Sequence, residues 1–185
     1  MLIKSYNDAL KVALSLEFSK PENFLHFNKN EKGFTVGGIY QAANPNWSGW
    51  NIVNFHLQNS KTLEEASIKC YNDKNLWNLI ARLYKTKYWD SINLDTISIS
   101  KAAEIFIFGI NAGPRTAIRE LQRYLGVQQD GILGRITRAR LETISDTDFD
   151  KIFDEIEINY YQRLIIRNPK LRIYRNGWIN RAKMV

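Results

Sequence analysis

The sequence predicts a mainly α fold. Two observations carry this prediction: capping residues precede stretches whose apolar residues recur at helical spacing, and Pro or Gly residues mark where such stretches begin and end. A short β-hairpin or irregular segment is expected only near residues 30–45, around the run TVGGIY. The 185 residues, 44% of them hydrophobic and 24% charged, suffice for a single domain over residues 1–185.

The first helices are predicted from their caps. Ser5 and Asp8 have the spacing of a capping box, and Thr62 and Glu65 repeat it at the start of a second helix. The apolar face of the first helix comprises Tyr6, Leu10, Ala13 and Leu14. Between these two helices, residues 18–60 are predicted to be irregular apart from the hairpin.

Helices are predicted next over residues 75–89 and 100–110, with IFIFGI in the second as a buried segment. Pro114 and Gly126 then have the positions expected at the start and just past the end of a helix. Another helix is expected to begin near Gly134, after the Asp-Gly turn.

Two more helices complete the predicted fold. Thr147 and Asp150 are expected to cap a long helix that ends at Asn168-Pro169. A last helix is predicted around residues 171–183.

Cysteine and histidine counts exclude several kinds of site. Cys70 is the single cysteine, so the chain has neither an internal disulfide nor a thiolate metal cluster. His26 and His56 are the two histidines, and neither has the spacing of zinc ligands. A Ser-His-Asp triad is compatible with this composition, although no nucleophile-elbow sequence is present. We therefore expect no metal and no other cofactor.

The charge of the chain is positive and unevenly distributed. The net charge is +7, with six acids and one lysine in residues 146–157 and seven basic residues without an acid in residues 163–185. A basic surface favours polyanions such as nucleic acid, anionic membrane or an acidic wall polymer. It is equally typical of the solvated face of a soluble protein.

Two features bear on the place of action. No apolar stretch reaches the roughly 18 residues that a membrane helix needs. The N-terminus has neither the apolar core nor the cleavage site of a signal peptide. We therefore expect synthesis in the cytoplasm, so that a function outside it requires a route of release.

Glu17 is the first candidate for chemistry. It continues the apolar stripe of the first helix and falls near the C-terminal end of that helix. Burial and the helix dipole then both favour the protonated carboxyl, which is the form that a general acid needs. The alternative, equally compatible with the pattern, is a side chain exposed to solvent where the helix ends.

A second group of candidates lies in the irregular segment. Glu31 stands in a glycine-containing stretch and can pair with Glu17, because glycoside hydrolysis uses two carboxylates that flank the scissile bond. Thr35 can orient a water or a sugar. Trp47 and Trp50 can stack on sugar rings or simply anchor the segment to the core.

The candidate residues fall in recognisable motifs. ALSLEFS followed by EKGFTVGGIY resembles the N-terminal motif of glycoside hydrolase family 108, the lysozyme-like N-acetylmuramidases. The resemblance continues at KYWDSI, at GINAGPRTAIRELQRYLGVQQDGILGRIT and at YYQRLIIRNPKLRIYRNGWINRA. It implies one lysozyme-like domain, with a catalytic part in residues 1–92 and a peptidoglycan-binding helical part in residues 93–185, packed together.

Position by position, the resemblance implies that Glu17 is the catalytic acid. Thr35 and Gly38 match the Thr and Gly of the motif, and Asn30 takes the place of its Asp, with Glu31 beside it. Asn111 begins the Asn-x-Gly-Pro block. The later Asp-Gly signature falls on Asp130, Gly131, Gly134 and Thr137. We expect Asn30, Gly38, Trp47, Trp50 and Asn111 to contact substrate.

One departure affects the acid's surroundings. The Gly-Gly-Tyr that follows the acid in the family is Phe18-Ser19-Lys20 here.

The implied function is a muramidase that cuts the β-1,4 bond between N-acetylmuramic acid and N-acetylglucosamine, as phage endolysins and secretion activators do. The expected partner is the glycan strand of the wall, with export through a holin-like protein and action in the periplasm. Two alternatives stay open: a non-catalytic peptidoglycan-binding protein, and a basic helical nucleic-acid binder, ranked last because no recognised nucleic-acid motif accompanies the basic residues.

Overall fold

The computed structural model describes residues 3–28 and 33–183 and is mainly α, with one small antiparallel sheet. The strands are β1 (Leu25–Asn28), β2 (Gly33–Val36) and β3 (Ile39–Tyr40). The helices are α1 (Tyr6–Ser15), α2 (Gly49–Gln58), α3 (Leu63–Asn72), α4 (Lys74–Tyr84), α5 (Ile99–Ala112), α6 (Pro114–Leu125), α7 (Arg135–Glu142), α8 (Asp146–Arg167) and α9 (Arg175–Ala182). The predicted fold class, mainly α and lysozyme-like with a short hairpin, is confirmed.

The chain divides into two compact units. The N-terminal unit is Leu10–Tyr84, and the C-terminal unit begins at Lys85 and includes the residues up to Ala9. This division lies a few residues before the boundary at residue 92 that the sequence predicts. That the two parts pack together stays a prediction.

The N-terminal unit is built around the sheet, whose strands pair in the order β1-β2-β3. Val36 pairs with Ile39, so a two-residue turn of Gly37 and Gly38 joins β2 to β3, within the segment where a hairpin is predicted. Both glycines have positive φ, 51° and 76°, as tight hairpin turns require. The sheet therefore depends on two adjacent residues without side chains.

Aromatic packing and one hydroxyl attach the sheet to the helices of this unit. The ring of Phe24 stacks on Trp77 of α4, with centroids 5.0 Å apart. The Ser67 hydroxyl of α3 accepts a 2.8 Å hydrogen bond from the Leu25 amide and donates one of 2.6 Å to the Pro21 carbonyl. Because Ser67 is fully buried and its bond to Leu25 is buried as well, this hydroxyl holds the start of β1 in place.

The C-terminal unit is organised around α5, whose residues from Lys101 to Gly109 are all buried. This confirms the prediction that IFIFGI is a buried segment. The Phe108 ring packs edge-on against Phe153 of α8, with centroids 5.9 Å apart. Tyr6 packs similarly against Phe106, at 5.6 Å. Helix α5, buried along most of its length, thus forms the core of this unit.

Most predicted helix ends are confirmed. The Asp8 amide donates to the Ser5 hydroxyl at 3.3 Å, and the Glu65 amide donates to the Thr62 hydroxyl at 3.1 Å. Pro114 begins α6, and Gly126 ends it in the left-handed conformation, with φ of 65°. These signals act within one helical turn, which is why the sequence alone reveals them.

Four predictions on local structure need correction. The segment predicted as irregular contains α2 as well as the additional strand β1. Ser145, rather than Thr147, caps α8 and accepts a 3.1 Å hydrogen bond from the Asp148 amide. The helix predicted over residues 75–89 ends at Tyr84 and continues as a π-helical turn, Lys85–Trp89. The last α-helix begins at Arg175, after the 3-10 turns of Pro169–Tyr174.

Candidate active site

Glu17 lies just beyond the C-terminal end of α1. Its amide donates a 3.0 Å hydrogen bond to the Leu14 carbonyl, so the backbone continues the helical direction for one more turn. The side chain is half-buried, between the two extremes that the pattern allowed. This position restrains the backbone at Glu17, while the residue as a whole stays partly exposed to solvent.

Gly38, in the turn between β2 and β3, lies against the Glu17 side chain. A Cβ atom added at Gly38 would be 3.2 Å from Glu17 Cγ and 3.6 Å from Glu17 Cδ. The missing side chain therefore allows the carboxyl-bearing arm of Glu17 to pack on the turn. The structure brings together these two residues, which the family resemblance also singles out.

Tyr84, the last residue of α4, completes this arrangement and was not predicted from the sequence. Its hydroxyl donates a 3.0 Å hydrogen bond to the Gly37 carbonyl, and its side chain is 2% exposed. The available signal was the buried stripe of α4, in which Leu76, Ile80 and Tyr84 follow each other at intervals of four residues. A tyrosine in such a stripe needs a partner for its hydroxyl, but the pattern does not tell which backbone group provides it.

Thr35 occupies the centre of β2. It pairs with His26 on β1 and with Tyr40 on β3. Residues that pair across strands point to the same face, so the Thr35 side chain shares its face of the sheet with these two polar neighbours. The Val36 side chain, next along the strand, points to the other face. Asn30 and Glu31 lie outside the described residues, so their predicted roles stay predictions.

The two tryptophans differ in their surroundings. Trp50 is 5% exposed, and its indole N–H donates a 2.7 Å hydrogen bond to the Asn44 carbonyl. Trp47 is half-buried, covers Gly49 and packs edge-on against Trp50 with centroids 5.3 Å apart. This geometry favours the anchoring alternative for Trp50 and leaves Trp47 with a partly open ring face.

Asn111 belongs to the C-terminal unit, near the end of α5. Its side-chain amide donates a 3.4 Å hydrogen bond to the Tyr161 hydroxyl of α8, and the residue is exposed. Its predicted contact with substrate stays a prediction.

The Asp-Gly signature of the C-terminal unit surrounds one buried glutamine. The Gln122 side-chain amide donates to the Asp130 carboxylate at 2.8 Å, to the Ile132 carbonyl at 2.9 Å and to the Thr137 hydroxyl at 3.1 Å. Its side-chain oxygen accepts a 2.9 Å hydrogen bond from the Gly131 amide. The signature thus fixes the conformation of the loop between α6 and α7.

Neither a metal-binding cluster nor a membrane-spanning helix is found in the part of the chain that the structure describes. Over residues 3–28 and 33–183, no group of His, Cys, Asp and Glu side chains has the geometry of a metal site. No helix within the same ranges is long and apolar enough to cross a membrane.

The chain is similar to a known protein family and to a solved structure. Residues 116–183 match the family described as "Predicted Peptidoglycan domain". The solved structure of Brucella abortus SagA is similar to the chain, with a TM-score of 0.63 and 19% sequence identity over 96% of this chain and 88% of that one. At this identity the likeness shows the fold. No curated protein matches the chain.

Proposed function

We propose that the protein is a peptidoglycan hydrolase, an N-acetylmuramidase that cleaves the β-1,4 bond between N-acetylmuramic acid and N-acetylglucosamine. The observation that carries the proposal is the packing of Glu17 against Gly38. It joins a half-buried glutamate to a tight turn between β2 and β3. The match of residues 116–183 to a predicted peptidoglycan domain supports the choice of substrate.

Glu17 acts as the general acid. Its carboxyl donates a proton to the glycosidic oxygen while the sugar ring develops oxocarbenium character. The acid must be held at a defined position, since a displacement of about 1 Å can cost 100-fold in rate. Contact with Gly38 on one side and the continued turn of α1 on the other supply this restraint.

The second group of the reaction is Glu31 or a water held beside Thr35. A carboxylate about 5 Å from Glu17 would act as nucleophile and retain the configuration, whereas a larger separation would leave room for a water and invert it. Thr35 lies between two polar neighbours on one face of the sheet, which suits a group that orients a water.

The protein acts on the wall after release from the cytoplasm, with a holin-like protein as the export partner. The basic residues 163–185 favour retention on a polyanionic wall.

A second candidate function is binding to peptidoglycan without cleavage. The match to a predicted peptidoglycan domain supports it equally well, because this match lies wholly outside the residues around Glu17. The departure at Phe18-Ser19-Lys20 also favours it, since the residues that follow the acid differ from those of the family.

Digestion of purified sacculi by the wild type, Glu17→Gln and Glu22→Gln distinguishes these functions. Glu22 is a matched control, because it is also half-buried and lies in the same unit. Mass spectrometry of the released fragments is expected to find reducing N-acetylmuramic acid with the wild type and Glu22→Gln, and a loss of at least 100-fold with Glu17→Gln. Circular dichroism checks that all three are folded.

Near-normal turnover by Glu17→Gln would exclude this acid. Binding of all three proteins to sacculi without release of any sugar fragment would establish the binding function instead.

A further inference from the structure

The C-terminal unit contains a pocket that the proposed cleavage does not use. It lies where the loop after α6 meets the start of α7, and its volume is about 260 Å³. Small-molecule sites typically begin at roughly 300 Å³, so the pocket suits a fragment rather than a large ligand. It is open to solvent on one side.

The floor of the pocket is buried and densely hydrogen-bonded. Gln122 and Thr137 are 1% and 3% exposed, and the hydrogen bonds of Gln122 to Asp130, Gly131, Ile132 and Thr137 use all of its polar side-chain atoms. These residues therefore build the pocket, whereas its rim must make the contacts with a ligand. A site formed in advance loses less conformational entropy on binding.

The rim includes several aliphatic side chains. Ile132 and Ile136 both line the pocket and are 58% and 66% exposed, although isoleucine is among the residues most often buried. Val127 adds a third branched side chain. Two large apolar side chains beside one pocket favour a ligand that carries small aliphatic groups.

The segment that contains the pocket is rich in arginine, and the charged residues that line the pocket are Arg135 and Asp130. Residues 115–140 contain six arginines, no lysine and two acids. Arg135 lines the pocket and is exposed, and it forms no ion pair or hydrogen bond among the described residues. A guanidinium binds a carboxylate through two parallel hydrogen bonds, so Arg135 is suited to a ligand with a free carboxylate.

We propose that this pocket binds the stem peptide of peptidoglycan, a short peptide with small aliphatic side chains and free carboxylates. Its methyl groups contact Ile132 and Ile136, and one carboxylate pairs with Arg135. A sugar is less suited, because no aromatic ring lines the pocket to stack on its flat face. The choice of the wall peptide rests on the proposed function.

Such a contact gives the chain a second hold on its substrate. Cleavage would act on the glycan strand and the pocket on the peptide that hangs from it. Two linked sites raise the apparent affinity for a polymer far above that of either one.

The test is titration of the full chain with the synthetic tetrapeptide L-Ala-γ-D-Glu-L-Lys-D-Ala, followed by NMR or calorimetry. Ile136→Gln and Arg135→Gln are each expected to weaken binding at least tenfold. Ile166→Gln and Arg140→Gln are the matched controls, because these exposed residues do not line the pocket, and both are expected to bind as the wild type does.

Glu17→Gln separates this proposal from the proposed function, because it is expected to abolish cleavage and leave tetrapeptide binding unchanged. No binding of the tetrapeptide, or equal binding by all variants, would overturn the pocket assignment whatever the cleavage result. Binding of chitotetraose, or of duplex DNA with a steep dependence on salt, that is lost in Ile136→Gln while the tetrapeptide does not bind would overturn it in favour of a sugar or nucleic-acid site.

Discussion

The side chain of Glu17 packs on the backbone of Gly38, so that a Cβ atom added to Gly38 would lie 3.2 Å from Glu17 Cγ. The same added atom would lie 2.5 Å from the Tyr84 hydroxyl. The candidate acid, the turn and the last residue of α4 therefore constrain one another. Changes to the turn should affect both the stability of the N-terminal unit and the proposed chemistry.

Gly38→Ala is expected to be strongly destabilising. The φ of 76° at this position is unfavourable for alanine, and the Tyr84 side chain cannot easily retreat from the added methyl because its hydroxyl is bonded to Gly37. Strain and overpacking together should lower the free energy of unfolding by about 2–4 kcal/mol. Denaturant unfolding measures this loss. Sacculus digestion below the melting transition measures the fall in the rate of cleavage that a displaced Glu17 should cause.

Gly126→Ala is the matched control for this prediction. Gly126 also has a positive φ, 65°, but nothing lies within 4 Å of an added Cβ. Only backbone strain of about 1–2 kcal/mol is expected, with digestion unchanged. Equal losses for both variants would show that contacts around Gly38 contribute nothing.

Tyr84→Phe tests the hydrogen bond to the turn. It removes one buried hydroxyl and keeps the ring, so the Gly37 carbonyl loses a donor in a site shielded from water. The expected loss is about 1–2 kcal/mol in the free energy of unfolding. The rate of cleavage should also fall, because the turn that contacts Glu17 is less restrained. Tyr124→Phe, at a half-exposed tyrosine, should change neither quantity. A fully stable Tyr84→Phe would contradict the role assigned to the hydroxyl.

A buried cluster of acids predicts an unusual dependence of stability on pH. Burial, the neighbouring Glu157 carboxyl, and then Asp150 and Asp154, raise the pKa of Glu104 to about 9. Burial and Asp154 raise the pKa of Glu157 to about 8, against the opposing charge of Arg181. Glu104 Oε2 is buried and has no hydrogen-bond partner among the described residues.

Both pKa values are raised above their ordinary value of 4.5, so the folded protein holds protons that the unfolded chain releases. The contribution of these two carboxyls to the free energy of unfolding is therefore fully present below about pH 4.5. It is lost as the pH rises toward 8–9. The slope should approach about 1.4 kcal/mol per pH unit for each group. Denaturant unfolding between pH 5 and pH 9 measures it.

Glu104→Gln should flatten this slope and stabilise the protein at pH 8, because a neutral amide replaces a carboxyl that resists ionisation. Glu142→Gln, at an exposed acid of the same unit, should leave the slope as it is. A wild type whose stability is constant over this range would contradict the burial of the cluster.

Local signals account for what the sequence predicted correctly. Caps at Ser5, Thr62 and Pro114 act within one turn of chain and identify α1, α3 and α6. Helix α2 was not predicted, and its N-cap, Ser48, makes no capping hydrogen bond through its side chain. This helix buries Trp50 and Val53, whose spacing of three residues is helical but too short a pattern to identify a helix by itself.

The candidate site likewise contains residues that the sequence identifies and residues that it does not. The stripe of α1 and the family motif identify Glu17 and Gly38, and the structure places them in contact. Tyr84 was missed because its partner, the Gly37 carbonyl, is distant in sequence and lies on another element. The cap of α8 was misplaced by two residues because Ser145-Asp148 and Thr147-Asp150 both have a capping spacing, and only the hydrogen bond from Asp148 to Ser145 decides.

Lys101 is a buried cation that closes the end of α7. Its ammonium group donates hydrogen bonds of 3.0 Å to the Leu141 carbonyl and 2.6 Å to the Ile144 carbonyl, and it lies 3.4 Å from the Asp146 carboxylate. The last carbonyls of a helix have no partner inside the helix, so a cation there satisfies them and also opposes the helix dipole.

Lys101→Met keeps the length of the side chain and removes the charge and the donors. Because the residue is 7% exposed, no water can easily replace the lost hydrogen bonds, and we expect the free energy of unfolding to fall by about 2–4 kcal/mol. The loss should be concentrated at the end of α7, so amide exchange there should accelerate more than in α5.

Lys151→Met, at an exposed lysine of α8, should cost less than about 0.5 kcal/mol. If the two variants lose equal stability, the carbonyls of Leu141 and Ile144 do not depend on Lys101. If exchange accelerates as expected, tetrapeptide binding should weaken too, because α7 carries Arg135 and Ile136 on the rim of the pocket.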